Sequence, residues 1–451
     1  MLRAVPAFGS FCSVEALQQL VDSLQERSSA FGIEVAGMSE RGAPIHHVRF
    51  GEGSLKVLLV GFPHANEPIG GLTVFSLLTL LAQGNAELLK ADVEWHVVPC
   101  IDPDGAALNE AWSQRVFALE SYLRGFHRQE LADQAECSFP IRHKKLLFNE
   151  PTAEARILQE ILQRVRPDLY YSLHNAWVGG AHFALTRGLA SDYYTQLYEL
   201  LAAHEIPLRR GATPGEGQLA AGVFEMATVR GLYNRLEKTL PDPERALRCG
   251  ACSWEYLSEI KPGALTFVTE LPYVRHPSDR SLRDTGESYR RLKLRLDADN
   301  KYLVTVILEE WDRVQAQVVV DSPYHRKVFN GVISQQDQLA EGLPAWVSRT
   351  RDILFSPDYA GTMTESERFE VWQSDRFFAL CHCYEFVRLL RASPQTGPVE
   401  RATLRLESLF REALDEMDRA IDFSRFELID LQSLARVQLG SGLIVLNSLL
   451  Q

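Results

Sequence analysis

The first 285 residues alternate short apolar runs with helical patterns, and this alternation constrains the fold most strongly. Residues 57–62 have the apolar pattern of a buried strand, and residues 68–83 have the pattern of a helix. Further strand patterns, separated by helical ones, occur at 93–101, 169–174, 182–186 and 264–273. Strands that alternate with helices usually form parallel sheets covered on both faces. The sequence therefore predicts an α/β fold with a mostly parallel central sheet flanked by helices.

The pattern changes after about residue 285, where long amphipathic runs replace the strands. These runs predict an all-helical region and lie at 287–317, 372–391 and 399–421. A chain of 451 residues exceeds the size at which one hydrophobic core usually stops growing. We therefore predict two domains, residues 1–285 with the sheet and residues 286–451 with the helices. The sequence leaves open whether the helical region covers a cleft, forms a dimer interface or only stabilises the sheet.

Composition narrows the classes of partner. The net charge of -12 argues against a protein that binds nucleic acid through its phosphates, which requires a basic face. Signal-peptide and membrane-spanning patterns are absent from the sequence, so the expected location is cytoplasmic, with no membrane partner. The seven cysteines fit scattered reduced thiols. Cys249 and Cys252 form a single Cys-x-x-Cys, which predicts a helix-end pair or a structural accident rather than a metal or redox site.

Four chemically capable side chains follow or end predicted strands. His64 and Glu67 come directly after the strand at 57–62, His174 ends "DLYYSLH", and Glu270 lies in "LTFVTELPY". In open parallel sheets, ligands bind beyond the carboxyl ends of the strands. We therefore expect these four side chains to face one cleft.

The spacing His-x-x-Glu occurs three times and is uninformative by itself. Only the first pair lies at a predicted strand-to-helix junction. The other two pairs are interpreted as surface or satisfied-core residues, and they are His127/Glu130 and His382/Glu385.

The residue types at the strand ends are those of a catalytic zinc site. Such a zinc takes three protein ligands from histidine and carboxylate groups and keeps one position open for water. His64, Glu67 and His174 supply that set, which predicts one zinc ion per chain. The metal lowers the pKa of its water, and Glu270 is predicted to be the general base that accepts the proton and delivers it to the leaving amine.

Together these motifs resemble the carboxypeptidase A-like zinc metallocarboxypeptidase family. The resemblance covers about residues 50–275 and rests on "PHANEPIG", "CIDPDGAAL", "YYSLHN" and "FVTELPY", which occur in that order. It implies a central mixed eight-stranded sheet with flanking helices and one zinc. It also implies that the chain is a hydrolase acting on peptides. It implies nothing about residues 300–451.

The chain departs from the family pattern in two places. Asp102 begins "DPDG" where the family commonly has asparagine, and no Asn-Arg pair lies between Gly105 and His174. The family usually holds the terminal carboxylate of its substrate with that pair, so selectivity for free C-termini is not predicted.

A positive group is still expected for the oxyanion or for a carboxylate, and a bidentate arginine suits both tasks. Arg128 is the first choice, and the other candidates are Arg115, Arg124 and Arg142. The family also has a tyrosine on the substrate side, and Tyr233 and Tyr256 fall in the corresponding interval.

The sequence predicts a zinc-dependent metallocarboxypeptidase-like hydrolase that cleaves an amide bond of a peptide or a small amino-acid conjugate. Two alternatives stay open. One is an N-acyl-amino-acid deacylase of the aspartoacylase-like group, which shares the ligand pattern and the base. The other is a non-catalytic binding or scaffold protein. The side-chain preference and the oligomeric state are not indicated by the sequence.

Overall fold

The computed structural model describes residues 1–27, 29–89, 92–209, 217–238, 240–319, 350 and 353–450. Its strands are β1 (Phe31–Met38), β2 (Pro44–Phe50), β3 (Leu55–Val60), β4 (Val93–Val98), β5 (Ile141–His143), β6 (Leu146–Phe148), β7 (Leu169–Ser172), β8 (Asn175–Ala176), β9 (His182–Leu185), β10 (Gln218–Ala220), β11 (Val223–Glu225), β12 (Leu265–Pro272), β13 (Val274–Arg275), β14 (Asp284–Ser288), β15 (Thr362–Thr364) and β16 (Glu427–Leu428).

Its α-helices are α1 (Val14–Arg27), α2 (Ile69–Ala82), α3 (Ala86–Leu89), α4 (Pro103–Ser113), α5 (Leu119–Gly125), α6 (Ala153–Val165), α7 (Ser191–Ala203), α8 (Val229–Leu236), α9 (Pro243–Leu247), α10 (Ser253–Ile260), α11 (Tyr289–Val314), α12 (Glu365–Val371), α13 (Phe378–Ala392), α14 (Gly397–Ile421) and α15 (Leu431–Leu450).

Within the described residues, the main sheet has ten strands and is mixed, with a parallel centre. Its order is β1-β2-β4-β3-β7-β12-β9-β11-β10, and β8 pairs with β12. The pairs β4–β3, β3–β7 and β7–β12 are parallel. The pairs β1–β2, β2–β4 and β12–β9 are antiparallel. This architecture confirms the predicted mixed, mostly parallel sheet flanked by helices. The resemblance implied eight strands, and the structure has two more.

The central strands are apolar because both of their faces are covered. Every residue of β7 is buried, and so are the last four residues of β3. Strands buried on both faces read as continuous apolar runs rather than alternating ones. Helix α6 shows the complementary pattern, with one apolar face that packs on the sheet while its polar face meets solvent. Its N-terminus is capped by Thr152, whose hydroxyl accepts a hydrogen bond from Ala155 N at 3.1 Å.

The chain forms two compact units. The first comprises residues 1–116, 131–274 and 428–451, and the second comprises residues 117–130 and 275–427. The first contains the main sheet, and the second is built mainly from α11 to α14, as expected of the helical region. The prediction that residues 1–285 and 286–451 are separate domains stays a prediction, since packing alone does not show independent folding.

The last helix, α15, belongs to the first unit and packs against α2 and α7. Within the described residues it is the one helix long and apolar enough to cross a membrane, judged by length and composition, and 56% of its apolar window is buried. Its Gln438 is also buried and accepts a 2.7 Å hydrogen bond from the Thr73 hydroxyl. Such burial is typical of a core helix.

The two other His-x-x-Glu pairs meet inside the second unit. His127 Nδ1 lies 2.6 Å from Glu385 Oε1, and both side chains are buried. His382 lies 3.6 Å from the other carboxylate oxygen of Glu385. His127 and Glu385 are therefore buried core residues that pair with each other.

A buried pair of histidines links β2 to β4. His47 Nε2 and His96 Nδ1 are 2.9 Å apart. A carboxylate lies at each end of the pair, since Glu34 Oε1 is 2.9 Å from His47 and Glu94 Oε1 is 3.1 Å from His96. Burial, reinforced by the neighbouring His47, lowers the pKa of His96 to about 4. The folded protein therefore keeps His96 neutral at pH values where the unfolded chain protonates it.

We expect the free energy of unfolding to fall as the pH drops below 6.5. Above that pH His96 is neutral in both states, so its contribution is complete. Between pH 6.5 and about 4 only the unfolded chain binds the proton, which removes roughly 3 kcal/mol. Urea unfolding of the wild type and His96→Gln at pH 7.5 and pH 5 measures this effect, and the variant should lose less stability over that interval. His143→Gln is the control, and equal losses in all three proteins would contradict the prediction.

Candidate metal centre

A tight turn after β3 carries His64 and Glu67. A Cβ on Gly61 would lie 2.4 Å from Pro99 O, so only glycine allows the ends of the two neighbouring strands to approach this closely. The next residue, Phe62, has a φ of 53°, in the left-handed region. The backbone N–H of Glu67 then donates to His64 O at 3.2 Å. The turn thereby points both side chains beyond the carboxyl edge of the sheet.

The predicted ligands His64, Glu67 and His174 lie together. His64 Nδ1 is 2.7 Å from Glu67 Oε1, and His174 Nδ1 is 3.0 Å from Glu67 Oε2. The two imidazole rings are 4.6 Å apart between centroids and inclined at 70°. The Asn175 backbone N–H also donates to Glu67 Oε2, at 3.3 Å. One carboxylate thus spans the Nδ1 atoms of both histidines, as convergent ligands of a single cation would.

The electrostatics of this cluster suit a cation. Burial opposes ionisation of Glu67, but the charges of His64 and His174 outweigh it and hold its pKa well below the usual value. Burial likewise opposes charge on His174, yet Glu136 and Glu67 together raise its pKa well above the usual value. Two buried carboxylates therefore require positive charge between them. A divalent metal would supply that charge at the position where the imidazoles and Glu67 converge.

Glu136 is a fourth member of the cluster that the sequence did not reveal. It is fully buried, and its carboxylate accepts a hydrogen bond from His174 Nε2 at 2.8 Å. Three hydroxyls donate to its other oxygen, at 2.5 Å from Tyr170, 2.6 Å from Ser172 and 3.2 Å from Ser253. Burial opposes its charge, but His174 prevails and lowers the pKa of Glu136 to about 2. The carboxylate is thus ionised and fully engaged.

Two sets of side chains could hold the metal. One donor atom from each of His64, Glu136 and His174 lies within 4.8 Å of the others, so Glu136 could replace Glu67. The hydrogen bonding favours Glu67, because Glu136 engages Nε2 of His174, whereas Nδ1 faces Glu67. That Nδ1 atom is buried and has no hydrogen bond of regular geometry. In metal sites, a histidine ligand usually donates a hydrogen bond from its other ring nitrogen, the one that does not bind the metal, to a carboxylate that orients the ring.

Glu270 lies beside these groups but is more open. It occupies β12, and its Oε1 is 4.0 Å from His174 Nδ1. Its side chain is 23% exposed, whereas that of Glu67 is 3% exposed. Glu270 is therefore more open to solvent than Glu67 while lying close to His174, and its role as general base stays a prediction.

The arginine candidates differ in their surroundings. Arg128 belongs to the second compact unit, and its role stays a prediction. Arg124 pairs with Glu120 at 2.8 Å and lies over the Tyr384 ring at 4.7 Å, which indicates a structural role. Arg115 and Arg142 are exposed.

The tyrosine and cysteine candidates have local contacts. Tyr233 is buried, with its hydroxyl 3.5 Å from Glu244, and the Tyr256 hydroxyl accepts a hydrogen bond from Gln163. Cys252 is the N-cap residue of α10, which confirms the interpretation of Cys249 and Cys252 as a helix-end pair.

Comparison with known proteins supports the resemblance. Residues 17–176 match the family model described as zinc carboxypeptidase, and this segment includes His64, Glu67, Glu136 and His174. The resemblance predicted from the motifs is thereby confirmed for that segment. A comparison with curated proteins found no match.

Several solved structures are similar to part of this chain at low identity. A putative metallopeptidase from Shewanella denitrificans OS217 is 13% identical, with 59% of this chain and 90% of that chain covered and a TM-score of 0.40. Carboxypeptidase A from Helicoverpa armigera is 13% identical, with 58% and 65% covered and a TM-score of 0.38. A metallo-carboxypeptidase from Pseudomonas aeruginosa is 17% identical, with 58% and 60% covered and a TM-score of 0.31. The chain spans less than two thirds of the length of the last two of these proteins.

We expect Glu136→Gln to weaken zinc binding by about 10–100-fold, because the amide no longer fixes the tautomer and orientation of His174. Competition with a chromophoric chelator measures the affinity. Glu154→Gln removes another buried carboxylate, at the start of α6, and controls for general effects of such a change. Equal affinity in Glu136→Gln and the wild type would contradict the orienting role.

Proposed function

We propose, from the premise that residues 17–176 match the zinc carboxypeptidase family, that the chain is a zinc-dependent hydrolase of this type. It cleaves an amide bond of a peptide or of a small amino-acid conjugate. The observation that carries the proposal is the placement of Glu67 across Nδ1 of His64 and His174, with Glu270 next to them.

The chain's own residues would hold one zinc ion. His64 and His174 would bind it through Nδ1 and Glu67 through its carboxylate, a set of three that leaves a position for substrate. When bound, zinc supplies Lewis acidity, which polarises a carbonyl and acidifies water. Glu136 would keep the proton of His174 on Nε2, so that Nδ1 stays available as a ligand.

Glu270 carries the proton transfer in this proposal. Its carboxylate would accept a proton from the attacking water and then donate it to the nitrogen of the leaving amine. Partial exposure suits this role, because the group must exchange protons with substrate. Glu67 and Glu136 cannot share it, since their oxygens are engaged by the histidines and by hydroxyl groups.

Metal content and hydrolysis measured on the same samples test the function. We expect about one zinc per chain in the wild type, its loss in His64→Ala and its retention in Glu270→Gln. Glu270→Gln should lower kcat by about 10²–10⁴-fold, the usual contribution of a general base. Glu225→Gln, an exposed change on the nearby strand β11, is the control and should retain activity.

The substrate panel separates the alternatives. It contains short peptides with free and amidated C-termini, together with N-acyl amino acids. Turnover of peptides supports the peptidase, and turnover of N-acyl amino acids alone identifies the deacylase. A protein that binds no zinc and gains no activity from added zinc would overturn both and favour the scaffold alternative.

We also propose a cytoplasmic location. All seven cysteines are free and buried, as is usual for proteins of a reducing compartment. Fractionation of the source cells followed by immunodetection tests this, and recovery outside the cytoplasmic fraction would contradict it.

A further inference from the structure

Glu270 is the first of three polar side chains that form a row across neighbouring strands. Its direct antiparallel partner is His182 on β9. On the other side of β9, Ala181 forms a parallel bridge with Leu208, so the next residues along each segment, His182 and Arg209, are also neighbours. Side chains at directly opposed positions lie on the same face of a sheet. Glu270, His182 and Arg209 therefore share one face.

The backbone fixes Arg209 in this row. Ala181 N donates to Pro207 O at 2.6 Å, and Arg209 N donates to Ala181 O at 2.8 Å. A Cβ on Gly180 would lie 2.2 Å from Arg209 N, so glycine at this position permits the close approach of the two segments. The row thus rests on strand pairing between Glu270 and His182 and on an isolated parallel bridge next to Arg209.

His182 lies between Glu270 and Arg209 in the row and has one ring nitrogen without a regular hydrogen bond. Its ring lies edge-on to Phe224, with 6.0 Å between centroids. The ring interacts with the backbone of Gly180, yet its Nδ1 is buried without a hydrogen bond of regular geometry to any described residue. Burial and then the charge of Arg209 lower the pKa of His182 to about 3. His182 is therefore neutral, and the positive charge of the row comes from Arg209.

We propose that His182 and Arg209 form a subsite that binds an acidic side chain of the substrate. A guanidinium binds a carboxylate through two parallel hydrogen bonds, and the neutral imidazole can donate a third through Nδ1 in the tautomer that carries its single proton there. This inference rests on the proposed function, because it takes Glu270 to mark the position of the scissile amide.

The spacing favours a side-chain carboxylate over the terminal one. Neighbouring strands are about 4.8 Å apart, so the backbone of Arg209 lies about 10 Å from that of Glu270 across the sheet. The terminal carboxylate is attached only one carbon from the scissile nitrogen. The side-chain carboxylate of glutamate is separated from that nitrogen by three carbons, so it can reach further towards Arg209. A substrate residue with a long acidic side chain therefore fits the row.

Paired substrates test the subsite. N-acyl-Ala-Glu and N-acyl-Ala-Gln share the terminal carboxylate and differ only in side-chain charge. We expect the wild type, loaded with zinc, to prefer the glutamate substrate in kcat/KM by tenfold or more. Arg209→Gln should abolish this preference, and Arg209→Lys should retain part of it because the charge remains without the planar fork. Arg187→Gln, an exposed change just beyond the other end of β9, should behave like the wild type.

Binding measured without turnover separates this inference from the proposed function. Calorimetric titration with N-acetylglutamate and N-acetylglutamine should show the same preference, lost in Arg209→Gln, even in a protein that hydrolyses nothing. Thermal unfolding by circular dichroism verifies that each variant is folded, and His182→Phe provides a second substitution in the row. A preference unchanged in Arg209→Gln would overturn the subsite. A different result is that Arg209→Gln loses only the preference for N-acyl-Ala-Gln over its C-terminal amide. That result would assign Arg209 to the terminal carboxylate and would also overturn the proposed subsite.

Discussion

The burial of ionised carboxylates at the strand ends is the constraint on which the rest of the site depends. An unpaired charge in the interior costs several kcal/mol, so each buried carboxylate requires specific partners. Glu67 has two imidazoles, and Glu136 has His174 and three hydroxyls. These partners come from the ends of β3 and β7 and from the start of α10, so the parallel pairing of β3 and β7 is a precondition of the cluster. The sheet therefore determines the geometry of the donors.

The third predicted ligand, His174, is also fixed through its backbone by a hydrogen bond from α15. Gln438 on α15 donates from Nε2 to the His174 backbone carbonyl at 2.7 Å, and the backbone carbonyl of Gln438 accepts from the Tyr171 hydroxyl at 2.7 Å. These hydrogen bonds are buried and join residues that are more than 260 positions apart. A buried residue whose side-chain amide and backbone carbonyl are both hydrogen-bonded resists displacement, since movement would leave polar groups unsatisfied. The last helix thus contributes to the rigidity of the predicted metal position.

Much of the sheet could be predicted from sequence, because its central strands are buried on both faces and their apolar runs are unmistakable. The meeting of His64, Glu67, His174 and Glu270 follows from the rule that ligands bind at the carboxyl ends of such strands. Glu136 could not be found in this way. It lies in a segment without periodicity, and its role is apparent only when Tyr170 and Ser172 are placed beside it. The row from Glu270 to Arg209 was equally hidden, since it depends on strand register, which one sequence does not specify.

Three glutamates lie beside His64 and His174, and their different contacts and exposure suit them to different roles. Glu67 touches both imidazoles through Nδ1, so its oxygens face the position that a cation would occupy. Glu136 faces the opposite nitrogen of His174 and is saturated by hydroxyl donors, which leaves it able to orient the ring but not to accept a proton from substrate. Glu270 alone has a side chain appreciably open to solvent. Since a general base must exchange its proton and a ligand must not, this difference in exposure supports the proposed assignment more directly than the identity of the residues.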